Sequence, residues 1–98
     1  MSEKRPLEWS PRSRRNIELI YDYIAADNPA AAQLVLDEIR RAAESLPNYP
    51  MLGHVGYRVG IRELDMSKYP YTLIYRVTSK KIGVVAVIHQ ARKHLHNP

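Results

Sequence analysis

The apolar positions of the chain keep a helical period first and a strand period later. Ile17, Ile20, Tyr21 and Ile24 fall at i, i+3, i+4 and i+7, one face of a helix. Ser10-Pro11 stands just before them as a helix start. Serine is a good cap, and proline fits the first helical position, where no backbone donor is needed. Asp27-Asn28-Pro29 breaks this helix and opens another, with Asn28 as its cap. In that second helix Ala32, Leu36, Ile39, Ala43 and Leu46 repeat at spacings of four and three. Such a narrow apolar seam suits packing on the first helix. Pro47 and Pro50 end it. The break between the helices is very short, so an antiparallel helical hairpin is expected.

Past Pro50 the period shortens. Leu52 to Gly56 reads as loop, and Tyr57 to Asp65 as a strand, with Tyr57, Val59 and Ile61 alternating against Arg58, Gly60 and Arg62. Pro70 suits a strand's beginning but not its middle. Tyr71, Leu73, Tyr75 and Val77 would then share one face. Thr78 to Lys81 is a polar turn, and Ile82 to His89 is nearly continuously apolar, as expected of a strand covered on both sides. Connections of hairpin length predict an antiparallel meander. A short strand at Pro6 to Trp9 precedes the helices, and Gln90 to Pro98 reads as irregular or one helical turn. The expected order is β-α-α-β-β-β. This is an α+β domain in which an N-terminal strand and an antiparallel helical hairpin pack on a small antiparallel sheet.

Composition narrows the class. Ninety-eight residues, 45 % of them hydrophobic, suit one domain, residues 1–98, with a packed core. Cysteine is absent, so disulfides and thiolate metal sites are excluded. The four histidines have no ligand spacing, and neither metal nor cofactor is expected. The opening Met1 to Pro6 has no apolar core of a secretory signal, and no run approaches a membrane span. A cytoplasmic protein is expected.

The net charge is +5, and its distribution is uneven. Residues 13–46 carry six acids and four bases, whereas residues 47–98 carry eight bases and two acids, a net of 8 − 2 = +6. A basic half points to an anionic partner, nucleic acid or acidic protein.

Several segments together resemble one family. Trp9-Ser10-Pro11, Asn16-Ile17-Glu18 and Tyr23-Ile24-Ala25 are similar to the opening of toxins of the RelE/ParE superfamily. Asn28-Pro29 with Ala31-Ala32 resembles the start of the family's second helix. Tyr49-Pro50, Gly53, Gly56, Arg58 and Gly60 to Leu64 resemble its loop and second strand. Pro70-Tyr71, Ile74 to Val77 and Val87 to Arg92 resemble the last two strands. The likeness covers nearly the whole chain in order, and Arg-Glu-Leu, Pro-Tyr, Tyr-Arg and His-x-Ala-Arg lean towards the ParE side. The resemblance implies the toxin of a type II toxin–antitoxin module, a class associated with plasmid stabilisation. It also implies an oligomer with a cognate antitoxin, docked as a helix in a groove or a strand on the sheet edge.

Two mechanisms are implied by that resemblance. ParE-type toxins inhibit DNA gyrase by protein–protein binding. RelE-type toxins cleave mRNA on the ribosome, which requires a base, an acid and cations around the phosphate. For an RNase the candidates are Arg62, Arg76, Arg92, His94 and His96, with Arg62 and Arg76 expected on one side of the sheet. Against it, Leu52 to Gly56 holds no lysine, and no tyrosine follows Tyr75. Gyrase inhibition is therefore the expectation. The candidate contacts are Arg58, Arg62, Tyr75, Arg76, His89, Arg92 and Lys93. The alternatives are the ribosome-dependent endonuclease and a non-toxic antitoxin binder. Arg12, Arg14 and Arg15 read as a solvated helix face or an acidic-partner contact.

Overall fold

Ser10 turns the chain from strand into helix. In this computed structural model, which describes residues 4–56 and 58–92, its hydroxyl accepts from the Ser13 N–H at 3.0 Å and donates to the Val85 carbonyl at 2.8 Å. One side chain thus caps a helix and ties it to a strand 75 residues away. The strand before it is β1 (Leu7–Trp9), and the helix is α1 (Pro11–Ala25). Asn28 caps α2 (Pro29–Glu44) by accepting from the Ala31 N–H. Both helices begin with the expected cap followed by proline.

Four more strands follow: β2 (His54–Val55), β3 (Ile61–Asp65), β4 (Tyr71–Val77) and β5 (Ile82–His89). The sheet order is β1-β5-β4-β3-β2. β2 to β5 form an antiparallel meander, and β1 joins β5 in parallel. The sheet is therefore mixed. A parallel neighbour needs a long connection, and everything between β1 and β5 supplies it. Gln90 to Arg92 then make one 3₁₀ turn. No described helix is long and apolar enough to cross a membrane.

The helical hairpin covers one face of the sheet. Val35, Ile39 and Ala43 of α2 meet Tyr71, Leu73, Val84 and Val87, with Ile17, Ile20 and Ile24 of α1 beside them. Leu46, Tyr75 and Ile82 extend this core to the far end. On the other face Ile61, Ile74 and Ala86 form a smaller cluster. Apolar groups on both faces leave all of Tyr71 to Tyr75 buried. The strand most fully covered is thus β4, in the middle of the sheet, whereas β5 alternates between buried and half-buried only from Ile82 to Ala86 and ends exposed at His89.

Two expectations change. The inner stripe of α2 runs through Ala32, Val35, Ile39 and Ala43, with Leu36 at its half-buried flank. The strand expected from Tyr57 begins only at Ile61. Gly60 has φ +82°, the left-handed region, which ends regular pairing there, and Val59 is fully exposed at 99 %. Part of the expected loop instead pairs as β2. Tyr57 itself lies outside the described residues.

Candidate functional site

The strand register decides which candidate side chains meet. Arg62 lies opposite Tyr75, and Arg76 lies opposite Ile61. Directly opposed residues share a face and consecutive residues alternate. Arg62 therefore joins the helix-covered face, and Arg76 the other. The expectation that both point to one side is corrected by this one-residue offset.

Arg62 and Tyr75 are instead parts of a clamp. The Tyr75 ring is fully buried, and its hydroxyl donates to the Pro50 carbonyl and accepts from the Gly53 N–H, each at 2.8 Å. Arg62 donates to the Gly53 carbonyl at 2.6 Å. Burial raises the Tyr75 pKa, while the bond from Gly53 and the nearby Arg62 charge oppose the shift. Gly53 lies so close to β3 that a Cβ would come within 2.7 Å of the Glu63 carbonyl oxygen. Neither Tyr75 nor Arg62 is free to receive a substrate. Arg58 and Arg76 are exposed, the first in the turn before β3 and the second on β4.

His89 and Arg92 fall at the opposite end of the sheet. His89 pairs with Tyr71, four residues along β4 from Tyr75, or about 13 Å at ~3.3 Å per residue. The His89 ring meets Tyr71 edge-on, with centroids 5.5 Å apart. Burial raises the Tyr71 pKa, and Tyr23 raises it further. Lys93, His94 and His96 lie outside the described residues. Among the described residues, then, Arg62, Arg76 and Arg92 do not converge on one point where a phosphate could be held.

What gathers around His89 and Arg92 is an open groove between α1 and the end of β5. Its α1 wall carries Arg12, Asn16, Leu19 and Tyr23. Asn16 fixes the two walls by accepting from the Val87 N–H at 3.0 Å. Leu19 and Tyr23 are exposed at 61 % and 82 % despite their apolar surface. Sequence reasoning passed over these two. Their signal is the spacing of Arg12, Asn16, Leu19 and Tyr23, a second helical stripe one residue behind the core stripe of Ser13, Ile17, Ile20 and Ile24. The groove can hold an amphipathic segment, with apolar contact along its floor and cations at its rim.

Comparison with known proteins gives the frame for this geometry. Residues 7–94 match the family model described as ParE toxin of the type II toxin–antitoxin system parDE. A putative toxin, Y4kP, of Sinorhizobium fredii is 36 % identical over 89 residues, 91 % of each chain. Toxin RelE2 of Caulobacter vibrioides is 33 % identical over 84 residues, covering 86 % of this chain and 93 % of that one. Among solved structures, a chain of the chromosomal ParDE system from P. aeruginosa superposes with a TM-score of 0.81 at 22 % identity, covering 90 % of this chain and 98 % of that one. A chain of the E. coli DinJ-YafQ toxin-antitoxin complex gives 0.62 at 15 % identity, covering 91 % and 96 %. The two superpositions bear on the fold, and the family model and the two relatives on descent. The chain belongs to the ParE toxin family of type II toxin–antitoxin systems.

Proposed function

We propose that this toxin acts in the cytoplasm by binding DNA gyrase, and that a cognate antitoxin neutralises it by occupying the α1–β5 groove. The observation that carries the first part is the division of Arg62 and Arg76 between opposite faces. An RNase working without metal needs its cations and proton carriers around one phosphate. A binding toxin needs only a complementary surface. Arg58, Arg76 and Arg92 are exposed and can form part of such a surface. The groove suits an antitoxin segment that presents apolar residues to Leu19 and Tyr23 and carboxylates to Arg12 and Arg92.

A second reading, ribosome-dependent mRNA cleavage, draws on a different observation. His89, Arg92 and the tyrosines Tyr23 and Tyr71 line the same groove. That combines a titratable ring, a cation and aromatic surface.

Purified chain added to a gyrase supercoiling reaction tests the proposal. Inhibition that is relieved by the antitoxin encoded beside this chain is the expected result. Undisturbed supercoiling, together with cleavage of mRNA on translating ribosomes, would reject gyrase as the target.

A further inference from the structure

Gly83 leaves β5 without a side chain at a position flanked by strands on both sides, β1 and β4. Nothing inside the molecule asks for glycine there. Its φ is not in the left-handed region, where Gly60 sits. A Cβ built on it meets no atom within 4 Å. Glycine inside a strand weakens it and gives neighbours nothing to pack against. Neither backbone conformation nor core packing accounts for the residue. Another use of glycine in a strand is to let a ligand or a second backbone come close to the sheet.

The register places cations around this bare position. Gly83 lies between Arg76 of β4 and Glu8 of β1, on the face away from the helices. Neighbouring strands are ~4.8 Å apart, so Arg76 and Glu8 flank a recess about 10 Å across with Gly83 as its floor. The Lys81 ammonium reaches Glu8 at 2.9 Å. Both side chains are at least half exposed, and a surface ion pair of this kind holds weakly. Lys80 follows in the exposed turn. Among the described residues no carboxylate pairs with Arg76 or Lys80. Glu63, diagonal to Arg76 across β3, is buried and lies 4.0 Å from His54.

The surrounding sequence does not offset these charges. From Met66 onward it holds no acid, and before the end of β1 Lys4 and Arg5 offset Glu3 and Glu8. On the helix side, the end of α2 is balanced, with Arg40 and Arg41 against Glu38 and Glu44. Arg76, Lys80 and Lys81 therefore set the charge of the recess and its rim.

We infer that the Gly83 recess, rimmed by Arg76, Lys80 and Lys81, receives the phosphate backbone of duplex DNA. The cations call for a polyanion. The choice of duplex DNA rests on the gyrase reading above, because that target works on duplex DNA. A protein partner needs apolar or aromatic anchors. Among the described residues no exposed large apolar side chain belongs to β1, β4, β5 or the β4–β5 turn. Phosphate contact needs cations and close approach, and the absent Cβ supplies the second. The recess opens at the start of β5 and the antitoxin groove at its end.

Fluorescence anisotropy of a short labelled duplex, titrated with the full chain at several salt concentrations, tests this. Wild type should bind with a Kd on the order of 1–100 µM, weakening as salt rises. Arg76→Ala/Lys80→Ala should bind roughly tenfold or more weakly, with a salt slope lower by about two. Gly83→Val should also bind more weakly, although its thermal midpoint stays at or above wild type, since the added side chain enters open space. Glu8→Gln removes the one carboxylate at the rim and should tighten binding. Arg40→Ala removes the same charge from the helix side and should change little. No duplex binding by wild type would overturn the inference. So would Arg40→Ala weakening as much as the double variant, Gly83→Val binding like wild type, or preference for single-stranded RNA. Parallel supercoiling assays separate this from the gyrase reading. Gyrase inhibition without duplex binding would reject the recess alone. Duplex binding lost in the variants, with gyrase unaffected, would keep the recess and reject gyrase.

Discussion

The hydroxyl of Tyr75 lies 2.8 Å from the N–H of Gly53, across 22 residues of sequence, and accepts its hydrogen bond. The same oxygen donates to Pro50. Tyr75→Phe keeps the ring in the core but leaves both backbone groups without that partner. The variant should lose about 1–3 kcal/mol of stability, the usual cost of a stranded buried polar group. Urea unfolding at neutral pH measures it, and a midpoint equal to wild type would show that the clamp carries no energy.

Arg62 and Arg76 should separate in the same assay. Arg62→Ala removes the bond to the Gly53 carbonyl and should destabilise by about 1–2 kcal/mol. Arg76 is exposed and on the other face, so Arg76→Ala should stay within about 0.5 kcal/mol of wild type. Equal losses would contradict the register.

Ser10→Ala removes an N-cap acceptor and the bond to the Val85 carbonyl together. A cap alone is worth about 1 kcal/mol, and the strand bond adds to it. Ser10→Ala should therefore cost more than Asn28→Ala, whose cap is exposed and makes no bond to the sheet. Thermal unfolding of the two variants compares them directly.

Alkaline stability follows from Tyr71 and Tyr75. Burial raises both pKa values above the ordinary 10.0, so the folded state holds these protons more tightly than the unfolded chain. The stability they contribute is fully present below about pH 10 and is lost as pH rises through the folded values. Stability measured from pH 8 upwards should be flat and then fall above about 10. Absorbance of tyrosinate, compared with Tyr71→Phe and Tyr75→Phe, should show both groups titrating above the ordinary tyrosine value. Titration of both at the ordinary value would contradict the buried placement.

Helix starts were legible because their signals are local. Ser10-Pro11 and Asn28-Pro29 each cap a helix through bonds within three residues. The strands β4 and β5 were legible from composition, since continuous β-branched and aromatic runs have few alternatives. β2 was not, because two residues carry no period of their own, and their pairing comes from β3. The site was less legible than the fold. His89 and Arg92 do line a groove, but its α1 wall carries Leu19 and Tyr23, whose exposure is invisible until the helix has been seated. Arg62 and Tyr75 had the chemistry of contact residues and the position of internal ones.

By itself the sequence determined the order of the long elements, the helix caps and the family, because these depend on neighbours in the chain and on short periods. Only the tertiary structure decided the parallel seating of β1, the edge position of β2 and the separation of Arg62 from Arg76. The reason is that a pairing register is set between strands. A shift of one residue reverses every side chain from one face to the other while leaving the sequence pattern unchanged.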